Sequence, residues 1–222
     1  MRSPLSPFHL VVFTLLLIAL LLVIQLGLIS LAFDKLGLTT SQGMLLLFAS
    51  LFGSSLNLPV SSIPADPPQP QPQRTDIEAD HLIPLPPFTG RTIIAVNVGG
   101  CMVPVVFSAS LIHHFPLSGQ ELLLAIALVS AVCYWLSRPV PGLGIGMPPL
   151  VAPLAAAIVS ITVNHELAAP LAYICGTLGV LIGADLLRLK DVAKLGTPIA
   201  AIGGAGTFDG IFFTGIVAVL LT

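Results

Sequence analysis

The chain has 222 residues, of which 55% are hydrophobic and 8% charged, and its formal net charge is −2. Soluble domains carry about 25% charged residues, so this composition excludes a surface built for water. The near-neutral balance excludes nucleic acid as a partner and any electrostatic membrane clamp.

A helix crossing about 30 Å of hydrocarbon needs about 20 apolar residues. The hydropathy pattern predicts an all-α, polytopic transmembrane helix bundle of about seven helices, at 8–33, 41–60, 92–112, 119–137, 145–163, 167–187 and 205–222. The first apolar run, Phe8 to Phe33, is too long for a signal-peptide core and no A-x-A-like site follows it, so it reads as an uncleaved helix. The second, carrying Gly53, Ser54, Ser55 and Asn57, completes an N-terminal unit over 1–60. Residues 61–90 contain PADPPQPQPQ and LIPLPP, a composition that favours extended, unpaired backbone and predicts a cytoplasmic linker. Residues 91–222 then form a five-helix membrane domain.

Two stretches of that domain are irregular. The third helix carries Asn97, Gly99, Gly100 and Pro104, and the fifth is entered through RPVPGLGIGMPPLVAPL, with Pro148 and Pro149. Such backbone survives at membrane depth only where protein or a water-filled cavity covers it, so both stretches are expected to face the bundle interior. Cys101, Cys133 and Cys175 fall in apolar segments and read as buried small hydrophobes. His113, His114, His165 and Glu166 offer no ligand pair at i,i+4 spacing, so neither a metal site nor a cofactor is expected. Nucleophile-elbow, zinc-protease and phosphate-loop motifs are absent.

Charge asymmetry orients the bundle. With the N-terminus cytoplasmic and the C-terminus external, Arg2, Arg74, Arg91, Arg138, Arg188, Lys190 and Lys194 lie inside and only Lys35 outside, as positive-inside sorting requires. The expected location is the inner (plasma) membrane, multi-pass, with the lipid bilayer as partner; the oligomeric state stays open.

Two aspartates stand apart from the loop acids. Asp185 sits near the cytoplasmic end of the sixth helix and Asp209 at the start of the seventh, which returns in the opposite direction. At 1.5 Å per residue Asp185 lies about 5 Å inside Arg188, and Asp209 comes to a comparable depth. Paired carboxylates in a sheltered place share one proton, the state in which one activates water and the other polarises a scissile carbonyl. Gly203, Gly204, Gly206 and Gly210 let a substrate backbone approach closely, and Asn97, Pro148 and Pro149 are candidates for the same binding surface. In the plainer alternative Asp209 caps the last helix and Asp185 pairs with Arg188 at i,i+3 spacing.

The strings NVGGCMVP, RPVPGLGIGMPPLVAPL, GTLGVLIGADLLRL and IGGAGTFDGIF resemble the hallmark segments of an uncharacterised prokaryotic membrane-protein family, domain of unknown function 1614. A more distant resemblance is to the presenilin and signal-peptide-peptidase group of intramembrane aspartyl proteases, which carries one aspartate on one helix and a second in a GxGD motif on the next. That resemblance implies an aspartyl endopeptidase with Asp185 and Asp209 as its dyad and a transmembrane peptide as substrate. A proton- or cation-coupled transporter or channel, and a non-catalytic scaffold, are the alternatives.

Overall fold

The computed structural model describes residues 27–66, 90–140, 144–193, 196–204 and 210–222. Most of the first predicted helix, the proline-rich stretch from 67 to 89, Gly206 and Asp209 lie outside them. The described residues are mostly helical, but they also build a three-stranded sheet and a two-stranded hairpin, where a bundle of helices alone was expected.

Helix α1, Leu28–Lys35, leads to α2, Thr40–Gly53, which starts at a capping box. The Thr39 side chain accepts from the Gln42 amide, and the Gln42 side chain accepts from the Thr39 amide. The predicted helix over 41–60 stops at Gly53 instead of continuing. Beyond it the Ser54 and Ser55 hydroxyls donate back to the Leu51 and Phe52 carbonyls, at 2.6 and 2.7 Å, giving the backbone a local alternative to helix. The chain becomes β1, Asn57–Pro64, instead.

The predicted helix over 92–112 is likewise divided. Its first part is β2, Arg91–Asn97, whose Thr-Ile-Ile-Ala-Val run suits a strand. A π-helical turn, Val98–Met102, follows, and α3, Val103–His114, begins with Pro104 in its first turn. α4, Gly119–Leu136, opens on a second capping box, between Ser118 and Glu121. A hairpin of β3, Arg138–Val140, and β4, Gly144–Gly146, then replaces the start of the predicted fifth helix, and α5 runs only over Val151–Val163. α6, Ala168–Val180, passes into a second π-helical turn, Leu181–Leu186. The short α7, Leu189–Val192, strand β5, Ile199–Ile202, and α8, Gly210–Leu221, complete the described chain.

In the sheet β1 pairs antiparallel with β2, from Asn57↔Asn97 to Pro64↔Arg91, and β2 pairs parallel with β5, from Ile93↔Ile199 to Val96↔Ile202. The order β1-β2-β5 leaves β5 at an edge.

Among the described residues two helices are long and apolar enough to cross a membrane, Gly119–Leu136 and Ala168–Leu186. Thr40–Gly53, Val98–His114, Val151–Val163 and Ile211–Leu221 are apolar but shorter. α6 is the hub, packing against α3, α4, α5 and α8. Contacts at the two ends fix the helix directions. Asn164 Nδ2 donates to Glu121 Oε1 at 2.8 Å, joining the end of α5 to the start of α4. Lys35 Nζ donates to the Val219 carbonyl at 3.4 Å, joining the ends of α1 and α8, whose Leu36 and Val219 share an apolar cluster with Leu117 and Leu122 at the start of α4. At the other end Arg188 reaches the last carbonyls of α4. Helices α3, α4, α5, α6 and α8 therefore alternate in direction, and the sheet, the hairpin and both π turns gather at one end.

Many interior positions are small or polar, among them Ala125, Ala152, Ala156, Cys175, Ser130 and Thr177, beside buried large side chains such as Tyr173, Phe33, Leu171 and Ile211. Other large hydrophobics point outward. Leu45 and Phe52 on α2, Leu123 and Trp135 on α4, and Ile158 on α5 are each more than 60% exposed.

Candidate functional site

Asp185 lies in the second π turn, half-buried, where α6 leaves its regular path. The cause of the close packing there is glycine. A Cβ on Gly179 would come within 2.6 Å of Val129 Cγ1, and one on Gly183 would overlap the Ser130 carbonyl oxygen and approach Cys133 Cβ at 2.9 Å. α6 thus meets α4 backbone to backbone, the arrangement small residues permit between membrane helices. Wide π turns of this kind occur frequently at functional sites.

Arg188 fastens the end of this turn. Its Nη2 donates to the carbonyls of Tyr134, at 2.6 Å, and Ser137, at 3.0 Å, its Nε to Ser137 Oγ at 3.3 Å, and its Nη1 to Asp191 Oδ2 at 3.1 Å. The guanidinium also stacks 4.2 Å from the centre of the Tyr134 ring. The ion pair it makes at i,i+3 spacing is with Asp191.

The IGGAG segment arrives at the same end. β5 ends at Ile202, and Gly203 and Gly204 follow with φ of 83° and 89°, angles that glycine adopts freely. A Cβ on Gly203 would meet Cys101 Cβ at 2.6 Å and the Cys101 amide nitrogen at 2.8 Å, so this glycine is seated directly on the first π turn. Asn97 builds that turn. Its Oδ1 accepts from the Gly100 amide at 2.7 Å, while its Nδ2 donates to the Ser54 carbonyl at 2.7 Å and to Asn57 Oδ1 at 2.9 Å. The side chain is wholly buried and its amide is taken up in holding β1, β2 and the turn together.

One apolar cluster joins these parts: Ile94, Cys101, Val192 and Ile202, with Ile145 and Leu181 packed against them. Met147 packs against a second cluster containing Val180 and Ala184, which places the Pro148–Pro149 turn at this end too, with both prolines exposed. The described parts of the four strings singled out in the sequence therefore converge. A groove of about 460 Å³ opens beside the sheet, lined by Val60, Ile63, Ile94, Leu189, Lys190 and Ile202. Of the glycines proposed for substrate, Gly203 and Gly204 are placed here, Gly210 is the first residue of α8, and Gly206 lies outside the described residues, as does Asp209. Among the described residues no three His, Cys, Asp or Glu side chains cluster as metal ligands.

Sequence reasoning passed over the α4 side of this site. Ser130 and Cys133, at i,i+3 spacing on one helical face, are what the α6 glycines press against, and their spacing on an otherwise apolar helix was the available signal.

A mostly helical, apolar bundle with a glycine-rich, partly stranded end is the class that fold and site define. The chain belongs to the family described as protein of unknown function DUF1614, whose model matches residues 51–221. The match covers the sheet, both π turns and helices α3 to α8. No curated protein and no solved structure matches the chain.

Proposed function

We propose that this protein is an integral membrane protein that hydrolyses membrane-embedded peptides with Asp185 and Asp209 as an acid pair. Membrane embedding is supported by the outer faces of the helices, where large apolar groups such as Leu45, Phe52, Leu123, Trp135 and Ile158 are exposed. In water this surface would be an aggregation hazard, whereas in lipid it is the ordinary solution. The described basic residues support a multi-pass orientation, since Arg91, Arg138, Arg188 and Lys190 belong to the sheet end and Lys35 to the other. Retention in the membrane pellet after an alkaline wash is the expected behaviour, and release into the wash would remove the premise.

The observation that carries the chemistry is the position of Asp185 in a half-buried π turn that shares an apolar neighbourhood with β5. β5 is followed by Gly203 and Gly204, and in the sequence Asp209 comes five residues after Gly204, immediately before α8. An edge strand beside a groove accepts an extended peptide through backbone hydrogen bonds. In the proposed reaction the ionised carboxylate takes a proton from water, the water oxygen attacks the scissile carbonyl, and the protonated partner donates a hydrogen bond to the carbonyl oxygen; the tetrahedral adduct then breaks its C–N bond as the proton taken from water passes to the leaving amine nitrogen. Purified protein incubated with single-pass peptides should cleave them, and Asp185→Ala and Asp209→Ala should each abolish cleavage. Equal turnover by wild type and Asp185→Ala removes the pair from the mechanism.

Proton- or cation-coupled transport is favoured by a different observation: the hydroxyl oxygens of Ser108 and Ser130 are buried without a hydrogen-bond partner, as groups along a polar path would be. Flux across liposomes that is lost in Asp185→Asn, without any peptide cleavage, would establish that function instead.

A further inference from the structure

We infer that Arg188 is the positioning residue for Asp185, a latch that fastens the π turn to the C-terminus of α4. Its consequence for catalysis rests on the function proposed above, but the latch itself does not. The last carbonyls of a helix have no partner within it and carry the negative end of its dipole. At α4 these are the carbonyls at Tyr134 and Ser137, and a single Nη2 of Arg188 serves both, while Nε takes the Ser137 hydroxyl. A planar guanidinium presents several donors in fixed directions, which a lysine ammonium does not.

The backbone transmits this hold. The Arg188 amide donates to the Asp185 carbonyl at 3.2 Å and the Leu187 amide to the Ile182 carbonyl at 3.0 Å, so the turn and its anchor move together. Nearer to Asp185 the contact with α4 is made by Gly179 and Gly183, which supply closeness but have no side chain to set a direction. Arg188 supplies directional bonds between these two elements. Asp191, one ion pair further on, holds the guanidinium from its other side.

Cys133 gives a native reporter, since it lies against Gly183, two residues before Asp185, while Cys175 is buried in the middle of α6. Full-length protein in lipid nanodiscs would be treated with a membrane-permeant maleimide and the three thiols quantified by mass spectrometry. R188Q should raise the labelling rate of Cys133 about tenfold, as expected for loss of charge-assisted hydrogen bonds, and leave Cys175 unchanged. R188K should give a smaller rise, because the charge remains and the fork is lost. An unchanged Cys133 rate, or an equal rise at Cys101, Cys133 and Cys175, overturns the latch; should R188Q fail to fold, R188K decides on the same criteria. In peptide cleavage R188K should lower kcat and leave KM unaltered. A local rise at Cys133 in a protein whose cleavage ignores Asp185 would keep the latch and refute the protease.

Discussion

The two ends of the bundle are built on different principles. At the end where α2 and α4 begin, order is local: Thr39 with Gln42 and Ser118 with Glu121 each close a capping box within four residues. Asn164 then ties α5 to that box through Glu121, and its own Oδ1 accepts from the Leu167 amide at 2.9 Å. At the sheet end almost every contact joins distant sequence: Gly203 on Cys101, Ser50 Oγ on the Gly99 carbonyl at 2.6 Å, Arg188 on Tyr134, β2 between β1 and β5. The helices are cut short there because strands take over their last turns. Local capping fixes where α2 and α4 start; the long-range end creates the irregular region that holds both Asp185 and the start of the glycine segment.

If that division is right, damage at the sheet end should be both larger and less repairable. The greatest effect is expected from Gly203→Ala. Its φ of 83° is disfavoured for any side chain, and the new Cβ would strike the Cys101 backbone, which cannot move aside as a flexible side chain does. Strain and overpacking together should cost about 3 kcal/mol or more, read as a lowered thermal midpoint in detergent and a Cys101 thiol open to labelling. A midpoint within a degree of wild type would show that this end is looser than its contacts indicate.

Asn97→Ala comes next. It leaves the buried Gly100 amide and the Ser54 carbonyl without their side-chain partner, a loss of about 2 kcal/mol. Asn97→Asp should be nearly as harmful, since a carboxylate can still accept from Gly100 but offers nothing to the Ser54 carbonyl. Equal stability of Asn97→Asp and wild type would mean that the donor side of this amide is dispensable.

The same contrast explains what could be read in the sequence. The two longest apolar helices were legible nearly to the residue: 119–137 against Gly119–Leu136, and 167–187 against Ala168–Leu186. The strands were not. Ile93 to Val96 is an unbroken apolar run, and a buried strand and a membrane helix look alike in such a run. What decides it is pairing with 57–64 and 199–202, on segments up to a hundred residues away. The helix-end position of Asp185 was legible from its distance to Arg188, but the π turn around it depends on Ser130 and Cys133 pressing on Gly183, a contact no local pattern encodes. Asn97 was read as a polar residue inside a helix; in the fold it stands before the helix, where its short amide caps the turn.

The smallest effect should come from the locally built end. Ser118→Ala removes the hydroxyl that accepts from the Glu121 amide at 3.3 Å and that donates to Glu121 Oε2 at 2.8 Å. The Ser118 amide keeps its own bond to the same carboxylate oxygen, at 2.8 Å, and Asn164 keeps the other oxygen. Half of the box therefore survives, and the site is exposed, so water can take up the freed amide. The expected loss is about 1 kcal/mol, with Cys101 and Cys133 labelled as slowly as in wild type, because nothing at this end reaches them. A thiol response at the far end, from a change confined to one capping box, would show that α4 transmits its N-terminal order along its whole length and that the two ends are not independent.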